Sequence, residues 1–234
     1  VPGLNVLFTV LLGADLAAND TVRIGCASAL IATLSSVAAG IVARVATDRW
    51  IGVFEYVCTA RPVDAGYWLG AAAVPALLAS VTGLSNVGIV WLLSLTEPST
   101  GAASGLLLGA IALMPAAVLG GVCLGIFAAG LGLYLSDPYT GSNFLSIILP
   151  VSAGVIVPVS TYPGWLAWLC SWVPGSRLVQ VLDASSGIAN GTAPELFALL
   201  AADTALAVLY AAIGLGLTVL AARRIRAGAR ASLL

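Results

Sequence analysis

Few residues of this chain could do chemistry. Histidine is absent and every one of the nine basic residues is arginine. There is therefore no imidazole base or metal ligand, no lysine for a Schiff base, and no Gly-x-x-x-x-Gly-Lys-Ser/Thr loop for a nucleotide phosphate. Cys26, Cys58, Cys123 and Cys170 stand far apart with no Cys-x-x-Cys pair, which argues for packing rather than zinc or redox work. The acidic residues form no cluster suited to acid–base catalysis. Asp203 is the clear carboxylate within an apolar run. It is expected near the membrane boundary and solvated, the alternative being a polar pathway or a partner.

The elements that must position these residues are spans in lipid. The chain is 60% hydrophobic and only 8% charged, against about 25% charged in a typical soluble domain. Residues 24–43, 65–96, 98–136, 138–176 and 204–222 contain no Asp, Glu or Arg. A helix needs about 20 apolar residues to cross a bilayer, and the runs lack the two-residue alternation of a barrel strand. The expected crossings are 22–43, 67–95, 104–135, 143–159 and 195–222, with Pro115 inside the third. The opening stretch, 1–14, reads as part of a first helix, with no charged region before it to suggest a cleaved signal. Six helices in a single 1–234 domain result, the first of them partial.

Arginine placement orients the bundle. Arg44, Arg49 and Arg61 flank one loop, while Arg223, Arg224, Arg226 and Arg230 form the tail. The positive-inside rule puts both in the cytoplasm and leaves Arg23 and Arg177 outside. An even number of crossings must separate the two clusters, and the runs supply four.

Two segments do not span. In the first, about 46–62, Asp48 is a candidate N-cap. Trp50, Phe54, Val57 and Cys58 fall at helical spacing as an apolar stripe, with Asp48, Arg49, Glu55 and Arg61 as its charges. Pro62 ends the helix at or before Arg61. A short amphipathic helix at the interface is expected, whose plainest role is an anchor. The pattern Asp48-Arg49-x-x-Gly52-x-x-Glu55-x-x-x-Thr59-x-Arg61-Pro62 resembles the segment after the second helix of ABC-2 type permeases, commonly acidic/Arg-x-x-Gly-Thr-Leu-Glu-x-Leu-x-x-Thr-Pro. Val53-Phe54 stands in place of Thr-Leu, and two residues separate Thr59 from Pro62. The resemblance implies a coupling helix that contacts an ATP-binding cassette subunit through Asp48, Arg49, Gly52, Phe54, Glu55, Thr59 and Pro62. Glu55 would meet a basic residue of that subunit, or pair in cis with Arg49 or Arg61.

The second segment, about 160–185, follows Pro158. Pro158 and Pro163 interrupt any continuous span. Trp165, Trp168 and Trp172 recur at i, i+3 and i+7, and tryptophan favours the membrane–water boundary. A plain aromatic belt would suffice. The run Gly154-x-x-x-Pro158-x-x-x-x-Pro163-x-Trp165, ending at Pro174, is similar to the stretch after the fifth helix of the same permeases. That resemblance implies an outer re-entrant hairpin, with Tyr162 among its residues, that could cap an exit route. Asp183 stands where the family often has arginine.

Together these give an all-α membrane protein: a six-helix bundle with a cytoplasmic coupling helix and an outer re-entrant hairpin. The basic residues, all arginine, and the abundance of Ala, Gly and Val point to a bacterial plasma membrane, and the positive-inside rule to a cytoplasmic C-terminus. The resemblance implies a multi-pass permease. It would export a lipophilic small molecule, drug, antibiotic or lipid-like substrate as a dimer with a second permease chain. ATP and magnesium would sit on the partner subunit, with no cofactor, enzymatic site or nucleic-acid contact in this chain. The glycine pairs Gly105/Gly109 and Gly121/Gly125 suggest close packing of the 104–135 helix. An ion-coupled transporter or channel is the alternative, with Asp203 its only candidate coupling residue.

Overall fold

The computed structural model describes residues 18–60, 65–95, 101–155, 159–185 and 192–231. Among them the chain is helical and contains no strand. The elements are α1 (Ala18–Trp50), α2 (Val53–Ala60), α3 (Ala65–Ser94), α4 (Gly101–Gly132), α5 (Thr140–Ser152), one 3₁₀ turn at Val159–Thr161, α6 (Gly164–Cys170), α7 (Ser176–Ser185) and α8 (Ala193–Ala231). The expected partial first helix, 1–14, lies outside the described residues.

Among the described residues four helices are long and apolar enough to cross a membrane: Thr21–Trp50, Gly66–Ser94, Ser104–Gly132 and Ala193–Ala227. Leu69, Leu77, Leu78, Val81, Trp91 and Leu92 on α3, with Phe197, Val208 and Leu209 on α8, are exposed. Such surfaces would be untenable in water and are ordinary in hydrocarbon. The chain is a helical membrane protein.

Helix α1 is the hub. Of its apolar window 61% is buried, against 28% for α3 and for α8. Small residues set the spacing of its contact with α4. Gly121 meets the Leu34 carbonyl and Val37, and Gly125 meets Ala38 and Ile41. Helix α4 crosses α8 through Gly130 against Gly214. Close backbone approach replaces the hydrophobic drive that lipid cannot provide. The expectation of tight packing for this helix holds, at its Gly121/Gly125 pair. The four cysteines are buried and free.

The 143–159 crossing takes another form. Helix α5 has 13 residues, about 20 Å at 1.5 Å per residue, well short of the ~30 Å hydrocarbon core. Pro150 sits in its last turn, and Gly154 turns the chain at φ 67°. The chain starts α5 beside the end of α1, where Trp50 meets Tyr139 edge-on at 5.5 Å. It reaches the far end only by way of α6 and α7, where Asp183 pairs with Arg23 near the start of α1.

Candidate functional site

The arginine-bearing ends of α1 and α8 come together with the end of α4 at one end of the bundle. Arg49 donates from Nη1 to the carbonyls of Gly132 (2.9 Å) and Leu135 (3.0 Å), holding the end of α1 to the end of α4. Gly132 ends α4 and Leu135 lies just past it, so the cation complements the negative end of the α4 dipole. Arg224 lies 5.3 Å from the centroid of the Tyr134 ring, within cation–π range. Arg49 of one cluster and Arg224 of the other, which the sequence assigns to one side, thus lie at the same end.

Helix α2 is built on this end. The break between α1 and α2 falls at Ile51-Gly52, because Gly52 takes φ 77°, which a residue with a Cβ resists. This moves the boundary expected at 46. Asp48 is no N-cap of α2. It lies in the last turn of α1, 3% exposed, where it accepts from Tyr67 Oη at 3.1 Å and faces Arg44 Nε at 3.5 Å. Phe54 and Cys58 are buried against Ala222, with Tyr67, Leu133 and Ile225 around them. Phe54 meets the Tyr67 ring at 6.0 Å, edge-on. The expected stripe survives in Phe54 and Cys58 but loses Trp50. The Gly52 break rotates Trp50 off that face and leaves it exposed beside Ile51, Val53 and Tyr56. Glu55 is on the exposed side. Burial raises the pKa of the Cys58 thiol; the Arg226 guanidinium pulls it down and Glu55 pushes it up by smaller amounts. Thr59 is in the last turn of α2, while Arg61 and Pro62 lie outside the described residues.

The second expected site is the segment from α6 to α7. Pro158 lies outside the described residues. Tyr162 donates from its hydroxyl to the Val151 carbonyl at 3.0 Å, satisfying a terminal carbonyl of α5. Pro163 precedes α6 and leads into it with its fixed φ. Trp165, Trp168 and Trp172 are exposed, although α6 ends at Cys170 and Trp172 belongs to the following turn. Trp168 and Trp172 stack edge-to-face at 6.0 Å. Pro174 is buried. Gly175, at φ 93°, turns the chain into α7 and packs on Leu34. Leu34 is midway along α1, roughly 24 Å before Trp50. From there α7 rises to the Arg23 end.

Two contacts here escape sequence reasoning. Arg23 grips Asp183 through Nε and Nη2, both at 2.7 Å, a bidentate pair across 160 residues. Nothing local in the sequence links them, although both fall on the side away from the arginine clusters. The other is Asp203. It is not at a solvated boundary but 5% exposed and three turns into α8, roughly 15 Å from its start. Both its oxygens accept from the Gly175 amide at 3.0 Å. Helix α7 begins inside the bundle, and a carboxylate at its N-terminus supplies the acceptor that water would give outside.

Comparison with known protein families, curated proteins and solved structures found no match.

Proposed function

We propose that this chain is the permease subunit of an ABC-2 type exporter, with α2 as the helix through which a separate ATP-binding subunit drives it. The observation that carries the reading is the construction of α2. A short helix sits at the arginine-rich end, keyed by Phe54 and Cys58 into α3, α4 and α8. It follows α1 directly and presents Val53, Glu55 and Tyr56 outward. A push on that exposed side would reach four long helices at once, as a rigid-body change between inward- and outward-open states needs.

Further support comes from topology. With the arginine end in the cytoplasm, α3, α4 and α8 make three passages, and the path through α5, α6 and α7 makes the fourth. That restores the even count between the two clusters. With the opening stretch as a first helix, the bundle has six. The α6–α7 turn, seated on Leu34 and carrying exposed tryptophans, supports a hairpin that enters from the outer side and covers an exit route. The chain would lie in a bacterial plasma membrane with its C-terminus inside. It would pair with a second permease chain and move a lipophilic or lipid-like compound outward, with ATP and magnesium on the partner.

The ion-coupled alternative draws on Asp203, a buried carboxylate within a span. Its engagement by the Gly175 amide favours a role in seating α7. Affinity purification of the tagged chain from its own membranes tests the choice. The exporter reading expects a P-loop ATPase to co-purify, and Glu55→Ala to release it or to uncouple hydrolysis from transport. Purification alone, with transport under an ion gradient, would sink it.

A further inference from the structure

Between the second half of α1 and the first half of α3 lies an open cleft of about 690 Å³, within the ~300–1,000 Å³ range of ligand sites. Its two ends differ in chemistry. At the membrane-surface end are Arg44, Asp48 and Tyr67; toward the bilayer centre the walls are Gly40, Gly70 and Pro75. Tyr67 and Pro75 are eight residues apart on α3, so the cleft rises about 12 Å into the hydrocarbon. It closes at the top, where Gly40 lies against the Pro75 ring. At Gly70 nothing stands within 4 Å of where a Cβ would be. The absent side chain leaves the cleft open.

The charged end is asymmetric. Asp48 is buried and already takes Tyr67 and the Nε edge of Arg44. The Arg44 side chain is 63% exposed, and among the described residues Asp48 is its one ion partner. A guanidinium carries five N–H donors in a planar fork, so it has donors to offer a phosphate at headgroup depth. The apolar walls directly behind it suit an acyl chain.

We propose that this cleft binds one anionic glycerophospholipid of the cytoplasmic leaflet, its phosphate on Arg44 and an acyl chain along Gly70 toward Pro75. The assignment needs only that the arginine end faces the cytoplasm, and it stands apart from the exporter reading. The bound lipid would touch Asp48 and Tyr67, the residues that join α1 to α3 beside Phe54 of α2, and so would bias how firmly α2 is held.

Native mass spectrometry of the full chain in detergent tests this, with dioleoyl phosphatidylglycerol and dioleoyl phosphatidylcholine as probes. The expected result is one phosphatidylglycerol retained per chain, preferred over phosphatidylcholine by about tenfold. Gly70→Leu should fill the cleft and abolish the retention. Gly88→Leu, on the same helix and equally open, should leave it intact. Arg44→Gln, a change at an exposed side chain, should erase the preference for the anionic lipid. Unchanged retention in Gly70→Leu overturns the site; an unchanged preference in Arg44→Gln overturns its chemistry. Absence of any preferred lipid in the wild-type chain overturns both.

Discussion

Asp203 shows what a single buried charge does in this bundle. Its carboxylate replaces water at the start of α7, deep among the long helices. Replacing it by alanine strips a buried amide of its acceptor, which costs about 1–3 kcal/mol. Asp203→Ala is therefore expected to lower the melting temperature in detergent, and Asp203→Asn, which keeps an oxygen, to recover much of the loss. Equal melting of both variants would show that the Gly175 contact matters little. Arg23 and Asp183 are the companion case at the far end. Side chains 9% and 17% exposed cannot lose one partner freely, and either single substitution to alanine is expected to destabilise on the order of 3 kcal/mol. The exchange Arg23→Asp with Asp183→Arg should restore part of it, measured by the same melt. The sequence made both charges visible but neither partner. A pair 160 residues apart leaves no local trace, and the depth of Asp203 depends on where α7 begins.

At the scale of elements, what was legible follows physical periodicity. Long apolar runs became α1, α3, α4 and α8, because lipid demands helices and little else; α3 and α4 keep within three residues of the expected bounds, while α1 runs on past 43 to Trp50 and α8 past 222 to Ala231. The short elements were harder. The stripe through Phe54 and Cys58 is legible in the periodicity, but it takes in Trp50, and Asp48 as its cap, only if the helix runs unbroken through Gly52, which it does not. One left-handed glycine changes the face of everything before it. The 143–159 run looked like a full crossing by composition alone, while Pro150 and Gly154 shorten its helix to 13 residues. The face assignment of α2 predicts a pH-dependent difference in labelling. Cys58 is buried, and burial holds its thiol above its ordinary pKa, which slows its attack on a reagent. In membranes at pH 7.5, maleimide should label an introduced Tyr56→Cys at least tenfold faster than Cys58. The rate at Cys58 should rise at higher pH than the rate at the thiol introduced by Tyr56→Cys. Comparable rates at neutral pH would mean that α2 is turned or undocked.

For the whole molecule, a centre and a periphery matter more than a count of spans. Helix α1 is wrapped by its neighbours, α3 and α8 turn largely bare faces outward, and Arg49 and Arg224 from the two arginine clusters lie at one end. That end carries the amphipathic helix on which the proposed function depends. The competing role for α2 is an interfacial anchor, and the two differ in what Tyr56 touches. The deciding measurement is photocrosslinking in native membranes, with a benzoylphenylalanine placed at position 56 in an otherwise unaltered chain and the adducts identified by mass spectrometry. An exporter permease should give an adduct to a P-loop ATPase that disappears when Glu55→Ala is added. Adducts to lipid alone, with no ATPase and no effect of Glu55→Ala, would contradict the coupling role and leave α2 an anchor.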